Sequence, residues 1–284
     1  MKAKPDCIAC MFKQALNTTR FVTDDPEVQR QVLFKVAEAV VRMSLDTNPA
    51  ILSRPAYDAV YEVTGIRDPY KQAKAETNRE ALALESKFQE MIDQSDDPLE
   101  TGLHLAAAGN IIDFGIGHQF ELMPDILAIL ERGFAISAYE EFKKELVPGR
   151  SLLYLGDNAG EIVLDRLFIE VLKETGVDIV FSVKSGPIIN DATMEDAEVS
   201  GMTSLVKVIE TGSDDIGVNW DRASSEFIQT FKSAAVILSK GQGNFETCAS
   251  RKENIYFLLK AKCEAVAREL GVKEGDIVFK HNRG

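Results

Sequence analysis

The chain has 284 residues, 45% of them hydrophobic and 27% charged, which is room for roughly two globular domains and excludes disorder and collagen-like repeats. Its formal charge of -13, from 45 acidic against 32 basic residues, argues against general nucleic-acid or anionic-membrane binding and leaves a small molecule as the expected partner. A phosphorylated ligand would then need a local cation, supplied by a few Lys or Arg side chains or by a metal held in the carboxylate excess.

No apolar signal core follows Met1, and no stretch approaches the roughly 18 continuous apolar residues of a membrane span, which predicts a cytoplasmic protein. From Asp6 to about Arg150 the pattern is helical. Val28, Val32, Val36, Ala39, Val40 and Met43 recur at three- and four-residue spacing, Pro69 to Asp93 reads as a polar helix, and a further helix runs to about Ala108. Gly109-Asn110 stops it, and Gly115, Gly117 and His118 mark a glycine-rich loop. After Pro148-Gly149 short apolar runs appear at 152–155, 177–181, 205–209 and 234–238, separated by helix-length segments, which is a βαβ series. Residues 255–259 fit a buried strand better than a helix, a helix is expected from near Cys263 to Gly271, and 277–279 closes the series. The expected fold is α/β: a helical N-terminal domain (1–94) packed on a Rossmann-like α/β/α three-layer sandwich (95–284).

Ligands of such sheets bind beyond the carboxyl ends of the strands, and three turns there carry unusual chemistry. Gly156-Asp157-Asn158-Ala159-Gly160-Glu161 offers oxygen ligands for a hard divalent cation, and Glu161 and Asp165 share a helical face from which carboxylates could bind sugar hydroxyls or move protons. Lys184 to Thr193 leads through a Gly/Pro turn to Asp191 at an expected helix start, with Asp196 read as part of a solvated helix face. Lys240-Gly241-Gln242-Gly243-Asn244-Phe245-Glu246 combines a lysine with glycines that let backbone amides approach a phosphate. Any one Asp-Asn pair beside glycine is also an ordinary turn former or cap; the coincidence of three at sheet ends favours a site. There is no Gly-x-Gly-x-x-Gly, Walker-type loop, Gly-x-Ser-x-Gly elbow or zinc-type histidine spacing.

In their order along the chain, Gly109 to Asp113, Gly156 to Glu161, Pro187 to Thr193 and Lys240 to Glu246 resemble the motifs of the damage-control metallophosphatases, the ARMT-like family. The resemblance implies a divalent metal (Mn, Co, Ni or Mg) and hydrolysis of phosphate monoesters of small metabolites such as sugar phosphates. It also implies metal ligands at Asp157, Asn158 and Asp191 and substrate-phosphate contacts at Asn110 and Lys240, with Asp113 and Glu161 in the same motifs. Lys240 and the metal would neutralise the phosphate dianion for in-line attack by a metal-bound water or by Asp157 itself. The chain also resembles the short prokaryotic branch of that family, which carries Cys7-Ile8-Ala9-Cys10 and the cysteine of Lys262-Cys263.

Asp6 is placed to cap a helix beginning at Cys7, setting Cys7 and Cys10 one turn apart near the positive end of its dipole. With Cys248 and Cys263 they would form a second site, for zinc or an iron–sulfur cluster, or a redox switch; the alternative is four inert packed thiols. Two other functions compete with the phosphatase. One is an S-adenosylmethionine-dependent carboxyl methyltransferase, the other a non-catalytic metal or redox module using the cysteines.

Overall fold

The apolar runs after Pro148-Gly149 are strands. In the computed structural model, which describes residues 1–109 and 132–283, they are β2 (Ser151–Leu155), β3 (Asp178–Val183), β4 (Lys207–Glu210), β5 (Val236–Lys240), β6 (Ile255–Lys260) and β7 (Ile277–His281), with a two-residue β1 (Ile136–Ser137) before them. The expectations for Asn110, Asp113, Gly115, Gly117 and His118 lie outside the described residues. The sheet order is β1-β7-β6-β5-β2-β3-β4, parallel throughout except where β7 runs antiparallel to β6. In register, Leu153 sits between Val180 of β3 and Ile237 of β5. All five residues of β5 are buried, as a strand covered on both faces requires.

Thirteen helices are described. They are α1 (Pro5–Arg20), α2 (Pro26–Val40), α3 (Pro49–Leu52), α4 (Arg54–Thr64), α5 (Lys71–Asp93), α6 (Pro98–Gly109), α7 (Tyr139–Glu145), α8 (Glu161–Glu174), α9 (Met194–Val199), α10 (Met202–Leu205), α11 (Ser225–Ser233), α12 (Gln242–Cys248) and α13 (Glu264–Leu270). On one face of the sheet α5, α6 and α8 bury Phe88, Leu103 and Phe168 against Tyr154 and Phe181. On the other face α11, α12 and α13 bury Phe227, Phe231, Phe245 and Val266 against Leu153 and Phe257. A separate cluster of Met11, Val32, Val36, Ala56 and Val60 holds α1, α2 and α4 together. Packing therefore divides the molecule before α5 rather than after residue 94, because Ala81, Phe88 and Ile92 belong to the sheet-side core.

Local chemistry explains the boundaries. The Asp25 side chain accepts the Glu27 N–H at 2.8 Å and Pro26 fills the first position of α2, whose Val32 and Val36 face inward one turn apart. Helix α1 starts at Pro5, two residues earlier than an Asp6 cap would place it, since proline's missing N–H suits the first turn; Asp6 lies inside that turn. No described helix is long and apolar enough to cross a membrane.

Candidate active site

From β2 the chain passes to β3 and β4 on one side of the sheet, then returns to lay β5 and β6 on the other. The crevice beyond the carboxyl ends of β2 and β5 is therefore the topological switch point, where open α/β sheets receive ligands. Asp157 and Asn158 leave β2 into it. Across from them, Ala192 N–H donates to the Asp157 carbonyl and Ala159 N–H to the Asn190 carbonyl, each at 2.8 Å, and Asn158 pairs with Asp191 in a short antiparallel bridge. These bonds bring the turn after β3 against the turn after β2. Asp191 thus lies in the bridge rather than at the expected helix start; α9 begins at Met194 with Thr193 as its cap. Two residues before Asp191, Ile189 has φ 45°, a left-handed conformation costly for a β-branched side chain and of the kind that concentrates at functional turns.

The Asn158 amide donates from Nδ2 to Asp157 Oδ2 at 3.0 Å and to Glu161 Oε2 at 3.1 Å, which turns its carbonyl oxygen away from both carboxylates. Burial, with Glu161 and Asp191 as negative neighbours, pushes the Asp157 carboxyl up to about 8 although Lys262 and Lys184 oppose it. Asp191 is also raised by burial, against the pull of Lys184, whose Nζ is 3.5 Å away. Two carboxylates and an amide oxygen with an electrostatic deficit of this sign are a donor set suited to a hard divalent cation.

The wall opposite is tight. Gly241, with φ 79°, begins the turn after β5, and a Cβ there would stand 2.0 Å from Asp157 Oδ2, so only glycine lets the backbone come so close. Gly109 at the end of α6 abuts Glu161, whose Cγ would be 2.9 Å from an added Cβ. Lys240, expected from its turn to supply charge to a phosphate, is fully buried, with Nζ 2.5 Å from both Glu161 Oε1 and Asp165 Oδ1. Tyr154 donates to the same Asp165 oxygen at 2.6 Å. Glu161 and Asp165 do share one face of α8, but that face is sealed and they share a lysine there.

Asp196 is 5% exposed, not part of a solvated face. It accepts the Thr193 N–H and hydroxyl, each at 2.8 Å, and lies 3.6 Å from Lys74. Asn78 of α5 donates to Asp196 at 2.8 Å and accepts the Gly160 N–H at 2.6 Å, joining the first helical turns after β2 and β3. Lys262 was not singled out as a site residue from the sequence. It is exposed, its N–H donates to Gln242 at 3.0 Å, and its charge acts on both Asp157 and Asp191. Its position just beyond β6, the strand beside β5, was the available signal.

The cysteines divide. Cys248 packs in the sheet-side core among Leu153, Phe227 and Phe257, and burial pushes its thiol up to about 12. Cys7, Cys10 and Cys263 line a different space, away from Cys248.

An α/β/α sandwich with an acidic crevice at its switch point, capped by an N-terminal helical cluster, is the class that fold and site define. Within it, the description "Damage-control phosphatase ARMT1-like domain" matches residues 3–278, and the chain belongs to that family. It is 35% identical to an uncharacterized protein of Methanocaldococcus jannaschii, covering 98% of this chain and 95% of that one. It is 34% identical to a damage-control phosphatase of Pyrococcus horikoshii, covering 100% of this chain and 99% of the relative. The crystal structure of a DUF89 family protein from Pyrococcus horikoshii superposes with a TM-score of 0.90 at 34% identity, covering 99% of each chain.

Proposed function

We propose that the protein is a phosphomonoesterase acting on small phosphorylated metabolites such as sugar phosphates, with a divalent cation (Mn, Co, Ni or Mg) held by Asp157, Asn158 and Asp191. The observation that carries this reading is the crowding of Asp157 and Asp191 at the switch point, with the Asn158 amide turned so that its oxygen completes the set. When bound, the cation supplies positive charge against the phosphate dianion and polarises its oxygens. Lys262, exposed at the mouth, draws the phosphate in and orients it, and Lys184 holds Asp191 in place. Lys240 acts from beneath, fixing Glu161, which in turn fixes the Asn158 amide. Burial and its negative neighbours raise the Asp157 carboxyl, and the charge of a bound cation would favour its ionised form.

The test is phosphate release from a panel of sugar phosphates and p-nitrophenyl phosphate, with each of the four metals and with EDTA. Release is expected only with metal, and Asp157→Ala lowers it by at least about a hundredfold. Full turnover in EDTA, or in that variant, overturns the reading. Rapid acid quench with labelled substrate separates the two nucleophiles, because label stays on the chain only when Asp157 attacks directly.

A further inference from the structure

Helix α4 has two working faces. Ala56, Ala59 and Val60 pack with Met11 of α1 and with Val32 and Val36 of α2 in the helical core. Arg54, Tyr57 and Tyr61 follow one another at three- and four-residue spacing and meet the carboxyl edge of the sheet instead. Arg54 anchors that face, its guanidinium donating to the Asp214 carbonyl at 3.0 Å and to the Asp215 carboxylate at 3.2 Å in the segment that leaves β4. Tyr57 and Tyr61 line a cavity of about 30 Å³ whose wall includes Pro187, Ile188 and Ile189 of the turn after β3. The Asp191 N–H donates to the Ile188 carbonyl at 3.0 Å, so this wall and Asp191 belong to one tight turn, and Ile189 within it is the residue with φ 45°.

Three tyrosines line the cavity, and their hydroxyls are placed differently. The Tyr70 hydroxyl pairs with that of Thr18 at 3.1 Å, and the Tyr61 hydroxyl accepts from Arg67 at 3.2 Å. Among the described residues the Tyr57 hydroxyl has no hydrogen-bond partner, although its side chain is largely enclosed and a tyrosine so placed ordinarily finds one. Burial pushes the Tyr57 phenol well above the ordinary tyrosine value, and the charges of Tyr70, Asp191 and Cys10 add to the rise. At neutral pH the group is therefore an O–H that can both donate and accept. A space of about 30 Å³ takes one or two groups the size of a water molecule, which excludes a sugar ring and admits a single hydroxyl arm.

We propose that Tyr57 is a substrate-binding residue that selects for a hydroxyl on the leaving group of the phosphate monoester, the hydroxyl entering the tyrosine cavity and exchanging a hydrogen bond with Tyr57 while the phosphate lies at Asp157 and Asp191. This role rests on the phosphatase reading above. The turns after β2 and β3 hold the reacting end of the substrate, and α4, fixed in place by Arg54, reads the other end.

The experiment compares wild type, Tyr57→Phe and Tyr61→Phe on two substrates, the best sugar phosphate of the panel and p-nitrophenyl phosphate, whose leaving group has no further hydroxyl. Tyr57→Phe is expected to raise KM for the sugar phosphate about tenfold and to leave both kinetic constants for p-nitrophenyl phosphate unchanged. Its denaturant midpoint stays at or above wild type, because the fold loses no hydrogen bond. Tyr61→Phe, whose hydroxyl already has a partner in the protein, leaves the ratio of the two KM values as in wild type. An equal shift on both substrates, no shift on either, the same selective shift in Tyr61→Phe or a clear fall in the Tyr57→Phe midpoint overturns the proposal. A wild type that hydrolyses p-nitrophenyl phosphate but no sugar phosphate also overturns it and leaves the phosphatase reading standing; a wild type silent on both with every metal overturns the two together.

Discussion

Two groups of carboxylates meet around the start of α8, Asp191 reaching it from the turn after β3, and they are balanced in different ways. Glu161 and Asp165 share Lys240 in direct contact at 2.5 Å, all three fully buried. Asp157 and Asp191 have Lys184 at 3.5 Å from Asp191, with Lys262 acting on both from the surface, and both carboxyls remain raised. The first group holds its lysine in direct contact inside the fold, and in the second Asp157 is raised to about 8, further than Asp165 at about 6. On the proposed reading that difference separates a supporting structure from the place where a cation would bind, because the more strongly raised Asp157 gains more from a positive charge that arrives from outside.

The comparison can be broken most forcefully at Lys240. Lys240→Met leaves two buried carboxylates without their cation, and the expected loss is about 3–5 kcal/mol of stability, read as a lower denaturant midpoint at unchanged slope. Asp157→Ala moves the other way in metal-free protein at pH 7 to 8. Removing a crowded, raised carboxyl keeps the unfolding midpoint equal to wild type or above it while phosphate release disappears. A clear fall in that midpoint would show that Asp157 belongs to the scaffold.

A smaller effect is expected at the mouth. Lys262→Ala raises KM about tenfold, about 1.4 kcal/mol, with stability unchanged, since the side chain is exposed. A change in kcat alone would place Lys262 elsewhere in the reaction. The smallest effect is one of pH. Burial, with Glu161 adding to it, raises Asp165 to about 6 against the pull of Lys240 and Tyr154. Between about pH 4 and 6 the folded chain therefore holds a proton that the unfolded chain has released, and stability falls as pH rises through that window. Asp165→Asn, which does not titrate, flattens the slope in a series of unfolding curves.

Much of the sheet was legible because a parallel strand covered on both faces is written as an unbroken apolar run, as in Leu152 to Leu155 and Ile255 to Leu259. Strand β1 was not, since two residues carry no period. Helix α5 read as a member of the N-terminal domain because its polar sequence hides which face meets the sheet; Phe88 and Ile92 decide it only in three dimensions. At the candidate site, Asp157, Asn158 and Asp191 were legible as oxygen-bearing turn residues at strand ends. Their bridge was not, because it joins loops 33 residues apart, from Asn158 to Asp191. The partners of Lys240 escaped the sequence for the same reason, and Asp196 looked solvated because its neighbours Asn78 and Lys74 come from a distant helix. The cysteine spacing suggested one group of four; the fold withdraws Cys248 into the core and sets Glu246 among the other three.

Asn78 gives the molecule a fixed gauge. One planar amide, accepting from Gly160 and donating to Asp196, sets the distance between two loops by the width of a single side chain. Rocking of α5 must carry both loops in the same direction. The two loops that carry Asp157 and Asp191 are thereby held to one helix at a common point, so their mutual spacing follows a single side chain rather than two separate anchors.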